Sequence, residues 1–111
     1  MQLELKKLLQ DVSNALDLLD QFAKGKTFVD YERDPMLRAA VEREFEIVGE
    51  ALKQLADRDP ESARRIPELR RIVSFRNVLI HGYAEVDNAV VWEALTTRVA
   101  PLRAAVRSLL H

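Results

Sequence analysis

The residues best suited to chemistry lie in one short segment, SFRNVLIHGYAEVD, at positions 74–87. His81 in this segment is one of two histidines in the chain, and an imidazole can act as an acid or a base near neutral pH. Arg76 lies five residues before His81, and Tyr83 lies two residues after it. Because a guanidinium can hold an oxyanion through paired hydrogen bonds, the segment offers an acid–base group and an anion-binding group together.

A helical wheel places this segment on a helix with two different faces. One face is apolar and has Arg76 near its middle. The other face is polar and carries Arg70, Ser74, Asn77 and His81. Arg76 and His81 are about 140° apart on an ideal helix, so one copy does not bring both to one small substrate. A helix that ends at Gly82, the long reach of Arg76 or a second copy of the chain could resolve this, and we favour the second copy because symmetric dimers are common.

The position of Arg76 within the apolar face predicts a carboxylate partner. A charged side chain in such a place is costly unless it is paired or reaches water. Glu44 falls within the apolar stripe of the preceding helix, and we expect a Glu44–Arg76 pair there, with Glu46 and Glu50 as alternatives. Gly49, in the same helix, is more typical of close helix packing than of chemistry.

The elements that must position these residues are helices. Apolar residues recur every three or four positions in four stripes, and no segment has the alternation of a strand. The first stripe ends near Gly25, residues 25–34 are predicted to form a loop, and Asp34 followed by Pro35 predicts the start of the second helix. That helix is expected to end near ADRDP, and a short turn or helix is expected at residues 60–65.

The third and fourth helices are predicted from their end signals. Pro67 is expected to open the third helix and Gly82 to close it, with His81 in the last turn, where the helix dipole favours an imidazolium. Asp87 is expected to cap the fourth helix, which Pro101 should bend. The prediction is therefore a single all-α domain over residues 1–111, an antiparallel four- to five-helix bundle.

Composition excludes several classes of function. The 111 residues include no cysteine and only two histidines, which argues against a thiolate or histidine-rich metal site. The net charge of −1 gives no general affinity for nucleic acid, although five arginines cluster at positions 64, 65, 70, 71 and 76. Such a cluster is more often a solvated face than a binding patch. With neither a membrane span nor a signal peptide recognisable, we expect a cytoplasmic protein.

The segments around the motif resemble a known family. Arg76, His81 and Tyr83 match the R-x4-H-x-Y pattern of the HepT-like toxins of the HEPN superfamily. ERDPMLRAAVEREFEIVGEALKQL resembles the second helix of that family, and FRNVLIHGYAEVDNAVVW resembles its motif helix and the start of its last helix. The similarity extends from about residue 3 to residue 110.

This resemblance implies a homodimeric all-α HEPN domain with the two motifs facing each other across a cleft. It implies a metal-independent endoribonuclease without a cofactor, acting as the toxin of a toxin–antitoxin pair. The implied partner is an MNT-domain nucleotidyltransferase antitoxin, which neutralises the toxin by adding AMP to the motif tyrosine, here Tyr83. The alternative is a non-catalytic helical dimer that serves a nucleotidyltransferase as substrate or scaffold.

The residues suit cleavage of RNA, which carries its own nucleophile in the 2′-hydroxyl. His81 is the expected acid or base, and Arg76 is the expected contact to the charged phosphate. Asn77 is expected to orient His81 or to hold a phosphate oxygen, and RNA-binding roles fall to Arg70, Arg71 and Ser74. From packing alone, Tyr83 suits an ordinary amphipathic contact equally well, and Trp92 is expected in the core or at a dimer interface.

Overall fold

The computed structural model describes residues 1–111, and its regular elements are all helical. Five longer helices form the bundle: α1 (Leu3–Ala23), α3 (Pro35–Arg58), α5 (Leu69–His81), α6 (Asn88–Thr97) and α7 (Val99–Leu110). Two short helices, α2 (Phe28–Arg33) and α4 (Pro60–Arg64), and a 3₁₀ turn at Tyr83–Glu85 connect them. The predicted all-α architecture is confirmed.

The predicted helix starts at Asp34 and Asp87 are confirmed, and each has a side-chain cap. The Asp34 carboxylate accepts hydrogen bonds from the backbone N–H groups of Met36 and Leu37, at 3.0 and 3.1 Å. The Asp87 carboxylate accepts one from Ala89 at 2.8 Å. These bonds satisfy N–H groups that have no partner within the first turn of a helix.

The loop predicted for residues 25–34 is wrong, because residues 28–33 form α2. A capping box begins this helix: the Thr27 hydroxyl accepts from the Asp30 N–H at 3.2 Å, and the Asp30 carboxylate accepts from the Thr27 N–H at 2.8 Å. The bond from the Thr27 backbone lowers the pKa of Asp30 below its ordinary value. The rings of Phe28 and Tyr31 then lie 6.5 and 5.6 Å from that of Trp92, which agrees with the core role expected for Trp92.

The third predicted helix, α5, begins at Leu69 rather than at Pro67. Glu68 immediately before it has a left-handed backbone, with φ of 58°, which delays the first helical turn. The Glu68 carboxylate accepts hydrogen bonds from Arg98 at 2.5 Å and from Arg71 at 3.3 Å. The bond from Arg98 lowers the pKa of Glu68, and the two contacts fix the start of α5 against the junction of α6 and α7.

The last predicted helix is divided into α6 and α7 at Arg98, three residues before Pro101. In a continuous helix the ring of Pro101 would clash with the carbonyl of Thr97, and Pro101 has no N–H to bond to it. As the third residue of a new helix, Pro101 needs no such bond. The prediction of one bent fourth helix is therefore wrong: the interruption expected at Pro101 is a full break between two helices.

One apolar core joins the helices, and Ser13 is the only polar residue among its buried positions. α1 packs against α3 and α7, and α5 packs against α3. Arg103 on α7 donates to Asp17 on α1 at 2.7 Å and thereby ties the last helix to the first. None of the helices combines the length and the apolar character that crossing a membrane requires.

Replacing Tyr31 with phenylalanine is expected to stabilise the fold. The Tyr31 side chain is fully buried, its hydroxyl has no hydrogen-bond partner, and burial raises the pKa of that hydroxyl above its ordinary value. Tyr31→Phe keeps the ring against Trp92 and removes the unpaired group, which should raise the free energy of unfolding by about 1 kcal/mol. Urea unfolding measures this change.

Tyr83→Phe is the control for this experiment, since the Tyr83 side chain is 76% exposed and loses no buried group. A Tyr31→Phe protein that is less stable than the wild type would contradict the prediction and would mean that the hydroxyl has a partner in solution.

Candidate active site

The site is built where α5 crosses α3, and Gly49 permits the crossing. A Cβ added at Gly49 would lie 2.3 Å from the Cβ of Arg76 and 2.8 Å from its Cγ. Real Cβ atoms do not approach so closely, so any larger residue at position 49 would separate the helices at Arg76. The interpretation of Gly49 as a packing residue is confirmed.

Glu50, the residue after Gly49, is the partner of Arg76. The Arg76 Nη2 donates to the Glu50 carboxylate at 2.5 Å. The expected Glu44–Arg76 pair is wrong, since Glu44 forms neither an ion pair nor a hydrogen bond with Arg76, and one of the alternatives is right. The crossing at Gly49 decides this, because it brings the next residue of α3 within reach of the guanidinium.

Asn77 connects Arg76 to the outer face of α5. The Arg76 Nη1 donates to the Asn77 Oδ1 at 2.8 Å. The Asn77 amide nitrogen, with its two donors, has no partner within the chain and lies on an exposed residue. Asn77 therefore holds the guanidinium and offers donors on the side of the helix where His81 lies.

The Arg76 side chain lies between the interior and water, with 20% of its surface exposed. Its Nη atoms are held by Glu50 and Asn77, while its buried Nε has no hydrogen-bond partner. Both Nη atoms are thus held in place. The guanidinium therefore has a fixed orientation, although arginine has a long and flexible side chain.

His81 and Tyr83 are both exposed at the end of α5. His81 is the last residue of the helix, and Gly82 closes it by donating its N–H to the Val78 carbonyl at 2.8 Å, as predicted. The His81 ring forms no hydrogen bond within the chain. Tyr83 begins the 3₁₀ turn with most of its side chain in water, so its hydroxyl is accessible to another molecule.

The three predicted RNA-binding residues are exposed on α5. Arg70 and Ser74 share the face that carries Asn77 and His81, since the four positions are separated by steps of four, three and four residues. Arg71 is turned away from that face and donates to Glu68. The structure therefore aligns Arg70 and Ser74 with His81 and gives Arg71 a structural contact.

A groove of about 290 Å³ lies beside Arg76, between α1, α3 and α5. Its charged lining contains three carboxylates, from Asp11, Glu46 and Glu50, against the guanidiniums of Arg43 and Arg76. Three carboxylates against two guanidiniums leave the lining with a net charge of −1, which weakens phosphate binding deep in the groove. An anionic substrate is better received at the edge of the groove, where Arg76 meets the exposed Asn77. Nowhere do three or more His, Cys, Asp or Glu side chains come together as a metal site.

Sequence reasoning missed the role of Glu50 as the specific partner of Arg76 and the link through Asn77. The signal for Glu50 was present, because it directly follows the glycine that marks a close crossing of helices. No sequence signal showed that Asn77 would bond its neighbour Arg76, since adjacent residues on a helix point in different directions.

Comparison with known proteins adds a family. A family model described as "Ribonuclease HepT-like" matches residues 12–109. A protein of Caldanaerobacter subterraneus subsp. tengcongensis, provisionally named as an RNase, is 31% identical over 103 residues, which cover 93% of this chain and 91% of that protein. A protein of Thermococcus cleftensis, provisionally named ribonuclease HepT, is 33% identical over 101 residues, covering 88% of each chain. No solved structure matches this chain.

Gly49→Ala is expected to destabilise the protein although alanine favours helices. The new Cβ would overlap the Cβ of Arg76, and overpacking of this kind costs about 1–3 kcal/mol, which outweighs a helix-propensity gain of about 1 kcal/mol. Urea unfolding should show a net loss, and any activity that depends on Arg76 should fall as well.

Gly82→Ala is the matched control. Its added Cβ would lie 3.2 Å from the Val78 carbonyl, and its φ of −112° suits any residue. The loss of stability in Gly82→Ala should be the smaller of the two. A Gly49→Ala protein as stable as the wild type would show that the crossing does not depend on glycine.

Proposed function

The chain belongs to the HepT-like ribonuclease family, and we propose that it is a metal-independent endoribonuclease that acts as the toxin of a toxin–antitoxin pair. The observation that carries the proposal is the guanidinium of Arg76, fixed by Glu50 and Asn77 on the helix that presents His81. The fixed cation suits a phosphodiester, and the exposed imidazole suits proton transfer at neutral pH.

The proposed reaction uses the 2′-hydroxyl of the RNA as nucleophile. His81 accepts the 2′-hydroxyl proton while the 2′-oxygen forms a bond to phosphorus. The bond from phosphorus to the 5′-oxygen breaks, and the 5′-oxygen takes up a proton, which leaves a 2′,3′-cyclic phosphate and a 5′-hydroxyl. Arg76 and the Asn77 amide stabilise the negative charge that develops on the phosphate oxygens.

The proposed active form is a homodimer in which the α5 helices of two protomers face each other. The exposure of apolar groups supports this arrangement: Val78 and Val90 are about half exposed, at 48% and 52%, and Tyr83 is 76% exposed. Val78 and Tyr83 flank His81, where a second copy would cover them. The second α5 would also place an Arg76 opposite a His81, which a single straight helix does not do.

The proposed control of the toxin is addition of AMP to Tyr83 by an MNT-domain nucleotidyltransferase. The Tyr83 oxygen attacks the α-phosphate of ATP, its proton is lost, and pyrophosphate leaves. The exposure of Tyr83, two residues from His81, supports this step. The attached AMP adds bulk and negative charge that would repel RNA from the cleft. Both reactions use cytoplasmic RNA and ATP, so the proposal places the protein in the cytoplasm.

A second candidate function is a non-catalytic helical dimer that serves a nucleotidyltransferase as substrate or scaffold. The observation in its favour is that no protein group orients the His81 ring, whereas general bases are commonly held by a hydrogen bond. In this alternative, Arg76 stabilises α5 through Glu50 and has no role in chemistry. Activity of the purified protein separates the two functions.

His81→Ala is expected to reduce RNA cleavage by about 10²–10⁴-fold, the usual contribution of general acid–base catalysis. The exposed position of His81 means that the fold should survive. Cleavage of a labelled RNA strand and growth inhibition in cells are the measurements. His111→Ala removes the other histidine, at the exposed C-terminus, and should behave like the wild type. Full activity in His81→Ala would reject the proposed mechanism.

Tyr83→Phe is expected to abolish addition of AMP. Intact mass of the protein expressed with a nucleotidyltransferase of the proposed type should show gains in AMP units that are absent when it is expressed alone. These gains should disappear in Tyr83→Phe. They should remain in Tyr31→Phe, because the Tyr31 hydroxyl that this change removes is buried and cannot be modified. An unchanged mass in the wild type would exclude the AMP mechanism and leave inhibition by direct binding.

A further inference from the structure

A second groove, of about 460 Å³, lies between α4 and α5 at the opposite end of α5 from His81. Apolar groups of Ala56, Ala63, Ile66 and Leu69 line its floor, and Arg64 and Arg70 are its cationic residues. We propose that this groove, with Arg64 and Arg70, binds the phosphates of a single RNA strand that continues from the cleavage site along α5. This inference rests on the proposed ribonuclease function and extends it to the length of the substrate.

The charges around the groove leave arginines free to bind an anion. Four exposed arginines, Arg58, Arg64, Arg65 and Arg70, form neither an ion pair nor a side-chain hydrogen bond within the chain. Among the acidic residues nearby, Asp57 pairs with Lys53, and Glu68 binds Arg71 and Arg98. Asp59 caps α4 through Ser62, and neither Asp59 nor Glu61 has a cationic partner. Four unpaired arginines thus face two unpaired carboxylates, so the region around the groove is net cationic.

Glu68 lines the groove but does not repel a phosphate as a free carboxylate would. Its two oxygens accept from Arg71 and Arg98, and Arg98 also binds Glu93. Because Arg98 is mostly covered, with 15% of its side chain exposed, this network is fixed. The carboxylate at the groove is thus offset by guanidiniums, which leaves Arg64 and Arg70 to set the local potential.

The helix geometry connects the groove to the candidate active site. Arg70, Ser74, Asn77 and His81 lie on one face of α5, and all four are exposed. At a rise of 1.5 Å per residue, the Cα atoms of Arg70 and His81 are about 16 Å apart along the helix. A single strand covers this length with a few nucleotides. One strand can therefore contact Arg70 and His81 together.

The chemistry of the groove selects RNA phosphates rather than bases or a protein. No aromatic side chain lines it, so it offers no platform for stacking bases and no basis for a sequence preference. None of the exposed large apolar side chains lies between residues 56 and 70, so the groove also lacks the apolar anchor typical of protein interfaces. The binding mode that is left is contact between the two arginines and RNA phosphates, which does not depend on the base sequence.

The test is the double variant R64Q/R70Q, which keeps most of each side chain and removes both charges. The wild type is expected to cleave a ten-nucleotide strand with a higher kcat/KM than a dinucleotide. In the variant the ratio of these two values should fall about tenfold, mainly through KM. The slope of log K for RNA binding against log salt concentration should also become less steep, by the amount expected for the loss of about one or two phosphate contacts. Circular dichroism checks that the variant is folded.

The matched control is K24Q/K26Q, which removes the same charge from exposed, unpaired residues at the turn after α1. That turn lies near the start of α3, whereas α4 follows its end, about 36 Å away along a 24-residue helix. The control should keep the wild-type ratio and salt dependence.

The outcomes separate the two proposals. If the wild type neither binds nor cleaves RNA, the ribonuclease function fails and the groove proposal fails with it. If the wild type cleaves RNA and R64Q/R70Q keeps the full advantage of the long strand, only the groove proposal is overturned. If R64Q/R70Q handles both RNAs normally and instead loses a protein partner, the groove is a protein-docking surface, and the proposal is again overturned.

Discussion

The contact between Gly49 and Arg76 is the constraint on which the site depends. A hydrogen in place of a side chain at position 49 lets the backbone of α3 approach the first carbons of Arg76. This approach fixes both the distance between α3 and α5 and the register in which they cross. Because the crossing occurs at Arg76 itself, the same contact that packs the core also sets where the guanidinium lies.

The crossing also determines the electrostatics of Arg76. A guanidinium at a helix interface is stable only with partners, and the close approach of α3 provides Glu50 directly after the glycine. Asn77 supplies a second acceptor from α5 itself. The remaining unpaired Nε shows that the pairing is incomplete within one chain. Because this Nε is buried, the donors left for a phosphate are the second N–H groups on the two Nη atoms, which Glu50 and Asn77 do not use.

Much of the fold could be predicted from the sequence because the helix ends carry local signals. Asp34 with Pro35, and Asp87, cap helices through bonds to residues two or three positions away. α2 was missed although its capping box is equally local, because six residues are too few for an apolar period and the aromatic contact with Trp92 is distant in sequence. The late start of α5 was missed because it depends on Glu68 and Arg98, thirty residues apart.

The candidate site could be predicted only as far as a single helix determines it. The wheel correctly placed Arg76 in the apolar face and His81 on the polar face, since that follows from spacing alone. It could not choose between Glu44 and Glu50, because the choice depends on where two helices cross. Gly49 marks that crossing, and Glu50 directly follows it, so in this chain the glycine was a better guide to the partner of Arg76 than the position of Glu44 within its apolar stripe.

The division of α5 into two faces explains why one chain makes an open site. Leu69, Ile72 and Leu79 are buried and hold the helix on the bundle, so only its outer face can meet a substrate. That face is convex, as the surface of any single helix is, and cannot enclose a phosphodiester or exclude water from it. Enclosure requires a second surface, and the exposed Val78 and Tyr83 beside His81 are the groups that such a surface would cover. Arg70 and Arg64 lie beyond it, where a long strand would leave the covered region, so closure around His81 and an open, cationic path along α5 are compatible in one molecule.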